Sequence, residues 1–152
     1  MKKKNSTAQR KKVKFDNKHL NDPKIKKVYL TFKKQLYSQI KNEKFCIGVS
    51  GGPDSLALAF LCKIFSKEFN SKFIALIIDH NLRKQSGIEA QKVKIILTKH
   101  KIRAKILTWK GKIPKSNIQF NARNIRYFLL NKECNKLNIK NLVLAHHEGD
   151  LI

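Results

Sequence analysis

Lys44-Phe45-Cys46-Ile47-Gly48-Val49-Ser50-Gly51-Gly52-Pro53-Asp54-Ser55 is the stretch on which the fold turns. Lys44 to Val49 is a short apolar run suited to a buried strand, and Asp54 to Phe69 reads as the helix that follows it. The same exchange then repeats. Phe73 to Ile78 is a second, almost wholly apolar strand and Gly87 to Lys101 a second helix. Arg103 to Thr108 is a third strand, Asn117 to Leu137 a third helix and Asn141 to Ala145 a fourth strand. Buried-looking strands alternating with helices predict an α/β fold, a parallel sheet covered by helices and joined by right-handed crossovers. Ligands in such sheets bind beyond the carboxyl ends of the strands, so the loop after each strand is where functional residues are expected.

Upstream of this unit, Ile25, Val28, Tyr29, Phe32, Leu36 and Ile40 recur at three- and four-residue steps. They form one stripe of an amphipathic helix across residues 21–42, with Pro23 in its first turn. Residues 1–20 are polar and Lys-rich, and read as a disordered basic arm. Residues 43–152 are then a single α/β domain. Lys and Arg outnumber Asp and Glu 34 to 10, a formal charge of +24, which predicts attraction to a polyanion such as RNA, DNA or an acidic membrane surface. Lysine dominates the cations, and part of that excess fits solvated faces of any function. Cys46, Cys62 and Cys134 are widely spaced and odd in number, which fits small core residues in a reducing cytoplasm better than a metal pair or a disulfide framework. The longest apolar runs fall far short of the ~20 residues that a membrane span needs.

The turn Ser50-Gly51-Gly52-Pro53-Asp54-Ser55 carries the chemistry. Its glycines allow a tight turn with positive backbone dihedrals and let amides approach a ligand. The amides of the new helix and the Ser50 and Ser55 hydroxyls can surround a phosphate. Asp54 can cap the helix or reach a magnesium ion on the phosphates. The Gly-Lys-Ser/Thr ending of a Walker loop and the Gly-x-Gly-x-x-Gly turn are both absent. Asp79, His80 and Arg83 follow the second strand, at the rim where a nucleotide would lie. In the third helix, Ile118, Ala122, Ile125 and Leu129 are expected to be the buried stripe, with Arg123 and Arg126 on a neighbouring face suited to a phosphate or a base. His146 and His147 lack the partners a zinc site requires, so substrate positioning or structure suits them better. Trp109 is expected to pack rather than stack on a base.

The hexapeptide resembles the Ser-Gly-Gly-x-Asp-Ser loop of the PP-loop ATP pyrophosphatases. Four further segments, Asp79-His80-Asn81-Leu82-Arg83, Leu107-Thr108-Trp109, Ala122-Arg123-Asn124-Ile125-Arg126-Tyr127 and Leu144-Ala145-His146-His147-Glu148-Gly149-Asp150, resemble in order and spacing the N-terminal domain of the tRNA(Ile)-lysidine synthetases. The resemblance implies a Rossmann-like parallel sheet with helices on both faces, truncated after the fourth strand. It implies an enzyme that uses ATP and magnesium to adenylate the wobble cytidine of isoleucine tRNA and then attaches free L-lysine. ATP would lie against Ser50 to Ser55, Asp79, His80 and Arg126, with Asp54 and Asp150 as catalytic acids that also hold magnesium. Arg83, Arg123, His146 and His147 would touch substrate or phosphate. Gly149 stands where the family usually has the first of two adjacent acids, and Phe120 where a small residue is more usual. By the same resemblance the domain is incomplete at its C-terminus. Leu142 and Leu144 are then expected to be exposed on an uncovered face of the last strand, and the chain by itself to bind nucleotide weakly and make no lysidine. The alternatives are another PP-loop tRNA-modifying enzyme such as a thiolase, or an inactive basic fragment that binds RNA or nucleotide.

Overall fold

The structure, a computed structural model, describes residues 18–145. Residues 1–17 of the expected basic arm lie outside them, as do His146, His147 and Asp150. After a 3-10 turn at Lys18–Asn21 come α1 (Pro23–Ile40), β1 (Phe45–Val49), α2 (Pro53–Phe69), β2 (Phe73–Asp79), α3 (Ser86–Lys99), β3 (Ala104–Thr108), α4 (Ile118–Leu137) and β4 (Asn141–Val143). Local chemistry sets several of the boundaries. Asp22 caps α1 by accepting from the Lys24 amide at 2.8 Å, and Pro23 fills the first position, where no amide is needed. Asn70 and Asn138 end α2 and α4 in the left-handed conformation that Asn tolerates.

The four strands are parallel in the order β3-β2-β1-β4, with Phe45 opposite Phe73 on one side of β1 and opposite Asn141 on the other. The chain steps outward from β1 to β3, then reverses to place β4 on the far side of β1. Right-handed crossovers running in opposite directions put their helices on opposite faces. Accordingly α2 and α3 pack on one face together with α1, while α4 covers the other. Strand residues alternate between the two cores. Phe45, Ile47 and Val49 enter the cluster of Leu36, Leu58, Phe65 and Leu97. Cys46, Leu76 and Leu107 enter the cluster of Leu130 and Cys134. Burying a side chain such as Phe65 or Leu130 contributes about 1.5–3 kcal/mol, which makes these two layers the main source of stability.

Two expectations need correction. The stripe of α4 is rotated: Ile125, Leu130, Glu133 and Cys134 are buried, whereas Ile118 is 52 % exposed. Glu133 enters the core by pairing with Lys105 of β3, a partner that a hydrophobicity pattern does not register. Leu142 and Leu144 are half-buried rather than exposed, packing against the α4 cluster, while Val143 and Ala145 pack on the opposite core. Both faces of β4 are therefore partly covered. Among the described strands only β1 pairs with it, so its other edge has no neighbour.

Candidate functional site

The reversal between β1 and β4 is the topological switch point, where a crevice forms because the adjoining connections leave in opposite directions. A cleft of about 260 Å³ lies there, lined by Val49, Ser50, Ser55, Asp79, His80 and Arg126 among others. Its first wall is the loop from β1 into α2. Gly51 sits at φ +90°, a conformation that L side chains rarely adopt, and a Cβ there would come within 2.7 Å of a Val93 methyl. Gly52 is different. Its φ of −70° and ψ of 164° suit the extended residue before a proline, and a Cβ would meet only the Ser50 hydroxyl at 3.7 Å. Positive φ is thus needed once, not twice, and neither backbone nor packing explains why residue 52 lacks a side chain.

Ser55 is buried, and its hydroxyl ties the loop together. It accepts from the amides of Ser50 and Gly51, both at 3.2 Å, and donates to the Gly52 carbonyl at 3.1 Å. The Ser50 hydroxyl lies 3.2 Å from it and accepts, at a stretched 3.4 Å, from the Gly52 amide. Gly52 is the N-cap of α2 and supplies no side-chain acceptor to its first turn. Asp54 is not the cap that the sequence suggested as one option. It stands exposed in the first turn.

The second wall follows β2. Asp79 is buried and turns its Oδ1 onto the Asn81 amide at 2.9 Å, closing a turn in which Asn81 has φ +54°. His80 places its Nε2 3.0 Å from the Ala122 carbonyl of α4. A carbonyl only accepts, so Nε2 carries the proton and Nδ1 is left as an acceptor. Burial holds the imidazole below its ordinary pKa and nearby Arg126 adds to this, while the Ala122 carbonyl and Asp79 pull the other way. His80 is therefore neutral at pH 7. Arg126 reaches the cleft from α4, and Arg83 lies at its mouth in an exposed ion pair with Glu89 at 3.1 Å.

Not every expected residue converges here. Arg123 stacks 5.6 Å from the Tyr127 ring centre and is absent from the cleft lining, because one helical step of three residues turns it away from Arg126. Trp109 packs edge to face on Phe128 and donates to the Lys112 carbonyl. Gly48, Ser86, Glu89 and Val93 line the cleft without having been singled out. Gly48 carried a readable signal, since glycine inside a strand marks close approach, and a Cβ there would lie 2.5 Å from Leu144. Among the described residues no group of three or more His, Cys, Asp or Glu forms a metal cage. An exposed acid beside a phosphate loop nevertheless fits magnesium, which takes one or two carboxylates with phosphate oxygens and water.

The chain resembles known proteins over about three quarters of its length. The chain is 40 % identical over 115 residues to the tRNA(Ile)-lysidine synthase of Bartonella quintana (strain Toulouse), covering 74 % of this chain and 24 % of that protein. It is 39 % identical over 112 residues to that of Orientia tsutsugamushi (strain Boryong), covering 74 % and 25 %. The lysidine synthase of Lactobacillus gasseri is 36 % identical over 115 residues, covering 75 % and 27 %. The chain thus spans about a quarter of the length of the curated relatives it matches. Among solved structures, the U34-tRNA thiolase NcsA from Methanococcus maripaludis with its [4Fe-4S] cluster superposes with a TM-score of 0.65 at 21 % identity, covering 80 % of this chain and 47 % of that one. The NH3-dependent NAD synthetase from Campylobacter jejuni gives 0.55 at 18 %, covering 85 % and 58 %. These two structures share the fold. A family model described as a PP-loop domain matches residues 24–152, from the start of α1 through the loop and every wall of the cleft, and the chain belongs to that family.

Proposed function

We propose that this chain is the ATP-binding part of a tRNA(Ile)-lysidine synthase. The observation that carries the reading is the convergence of Ser50 and Ser55 of the loop after β1, neutral His80 and Arg126 on one switch-point cleft, in a chain that is 36–40 % identical to lysidine synthases. ATP would lie with its phosphates against the α2 N-terminus, where amides and helix dipole favour negative charge. Arg126 would add positive charge, and the Nδ1 of His80 would accept a hydrogen bond from the nucleotide. Asp79 organises the loop that carries His80, so its role is positioning.

In the first step the ring carbonyl oxygen of the wobble cytidine bonds to the α-phosphorus of ATP, and pyrophosphate leaves. In the second the ε-amine of free lysine attacks the ring carbon, AMP leaves with the former carbonyl oxygen, and the amine proton passes to a base. Activation is needed because a ring carbonyl oxygen leaves poorly until it carries a phosphoryl group. Asp150 is the candidate proton acceptor. Magnesium, held by Asp54 and Asp150 when bound, supplies positive charge for the phosphates. A tRNA-modifying role would suit a cytoplasmic location.

Sulfur transfer is less well supported. Cys46, Cys62 and Cys134 are all buried, and burial pushes their thiols up, that of Cys46 to about 12, away from the thiolate that such chemistry uses. The test is a chimera in which this chain replaces the matching segment of the Bartonella quintana relative, supplied with ATP, magnesium, lysine and isoleucine tRNA. Lysidine in the digested RNA, detected by mass spectrometry, supports the assignment. A folded chimera that binds ATP yet releases pyrophosphate regardless of tRNA, or forms no lysidine, refutes it.

A further inference from the structure

Beside the cleft lies a second concavity, lined by Trp109, Lys112, Pro114, Asn121, Asn124 and Phe128. Its aromatic content is unusual for a surface. Phe128 is 55 % exposed and stands perpendicular to Trp109 with ring centres 5.9 Å apart. One helical turn either way extends the stripe, because Phe120, Asn124, Phe128 and Lys132 follow at four-residue steps along α4. Phe120 is 66 % exposed, and the Lys132 ammonium sits 5.9 Å over the Phe128 ring. Exposed rings on a helix are costly unless something covers them.

The charge around them indicates what does. From Ala90 to Lys132 the sequence has twelve Lys or Arg and no Asp or Glu. Lys110, Lys112 and Lys115 are exposed on the connection between β3 and α4 that borders the groove. Flat aromatic rings alternating with cations suit single-stranded nucleic acid, whose bases stack while its phosphates meet the lysines. A membrane would meet the same charge. However, Asn121 and Asn124 put amides in the groove beside the rings, which suits a planar base with hydrogen-bonding edges better than acyl chains. The groove and the cleft share bounding elements but no lining residue. The Asn81 amide donates to the Trp109 carbonyl at 3.3 Å, and α4 carries both Arg126 in the cleft and Phe128 in the groove.

We infer that this groove is a stacking platform for an unpaired RNA nucleotide. The inference rests on the proposed function for the identity of the RNA, but its stacking chemistry is tested separately. Trp109 is the sole tryptophan, so its fluorescence reports on the groove directly. The full chain is titrated with a short unpaired oligoribonucleotide of cytidine and uridine, with an RNA hairpin of equal phosphate number, and with vesicles of anionic phospholipid. The unpaired RNA should quench Trp109 and bind more tightly than the hairpin. Phe128→Ala should weaken it about tenfold while Phe128→Tyr retains binding. Phe120→Ala, at a more exposed site, should also weaken it, and Lys112→Gln should lower the salt slope by about one. ATP affinity should be unaffected in all four variants. Equal binding of hairpin and single strand, unchanged affinity in both alanine variants, or equal quenching by vesicles would overturn the inference. Loss of RNA stacking with lysidine formation intact would remove this groove alone, whereas absence of lysidine with stacking intact would remove the proposed reaction alone.

Discussion

Two adjacent glycines in the loop after β1 should respond oppositely to the same added methyl group. Gly51→Ala forces an alanine to φ +90° and brings its Cβ within 2.7 Å of a Val93 methyl. A left-handed conformation costs a side-chain-bearing residue about 1–2 kcal/mol, and displacing Val93 adds to that, for a total near 2–3 kcal/mol. In a chain of this size about 1 kcal/mol lowers Tm by about 2–4 °C, so a fall of about 5–10 °C is expected without any ligand. Gly52→Ala meets no such obstacle, at φ −70° with only the Ser50 hydroxyl 3.7 Å away. Restricting the unfolded chain stabilises it by about 0.4–1 kcal/mol, and replacing glycine by alanine at an N-cap costs a similar amount. Its Tm should therefore hardly move. If phosphate oxygens approach the loop at residue 52, the added carbon displaces them from an amide. Losing one charge-assisted hydrogen bond of about 1.5–3 kcal/mol weakens ATP by roughly 10–150-fold. Calorimetric titration beside thermal melts of both variants is the assay. A folded Gly52→Ala protein with unchanged ATP affinity would refute the phosphate cradle, and an unchanged Tm for Gly51→Ala would refute the conformational argument.

Ser55→Ala should destabilise the ligand-free protein by about 1–3 kcal/mol in denaturant titrations, because two loop amides and the Gly52 carbonyl lose their shared partner. A change in ATP affinity with no change in ligand-free stability would instead make Ser55 a direct contact. His80, held below its ordinary pKa by burial, keeps the protein at full stability above about pH 6.5. As pH falls the unfolded chain takes up that proton first, so the denaturation midpoint should drop toward pH 5, with a shallower fall in His80→Gln; identical profiles would show that the imidazole is not linked to folding. Gly48→Ala puts a methyl 2.5 Å from Leu144 and should cost about 1–3 kcal/mol, part of it recovered in the double variant with Leu144→Ala. Strict additivity in that cycle would mean that the two residues are not packed as described.

The order of elements was readable because each strand is a short apolar run and each helix repeats its apolar residues at helical spacing. β1, expected at Lys44 to Val49, is Phe45–Val49, and α2, expected from Asp54, begins at Pro53. The strand order was not readable, since pairing depends on which connection reverses direction. The reversal decides the site, because it brings the end of β4 beside the Ser50 loop. Within the loop, residue types suggest a phosphate site but do not show the division of roles. Ser55 both lines the cleft and ties the loop together, and only one glycine needs its conformational freedom. Three-residue spacing alone does not separate Arg123 from Arg126, and only the family resemblance favours Arg126 for ATP. Only the docking of α4, fixed partly by the Lys105–Glu133 pair, aims Arg126 inward.

That division of roles bears on how the loop would take up an anion. Two of its amides already have a partner in the Ser55 hydroxyl, so a phosphate that claimed them would only exchange one hydrogen bond for another. The gain must come from donors held poorly in the free protein. One is the Gly52 amide, stretched to 3.4 Å from Ser50, at an N-cap that offers no side-chain acceptor. α1 shows the alternative, with Asp22 accepting from its first turn at 2.8 Å. A Ser or Asp at position 52 would stabilise α2 by only a few tenths of a kcal/mol over glycine, yet it would place its own oxygen where a phosphate oxygen should go. Leaving the cap without a side chain forgoes little stability and keeps the positive end of the helix open to the ligand. It also accounts for a glycine that neither backbone strain nor crowding requires.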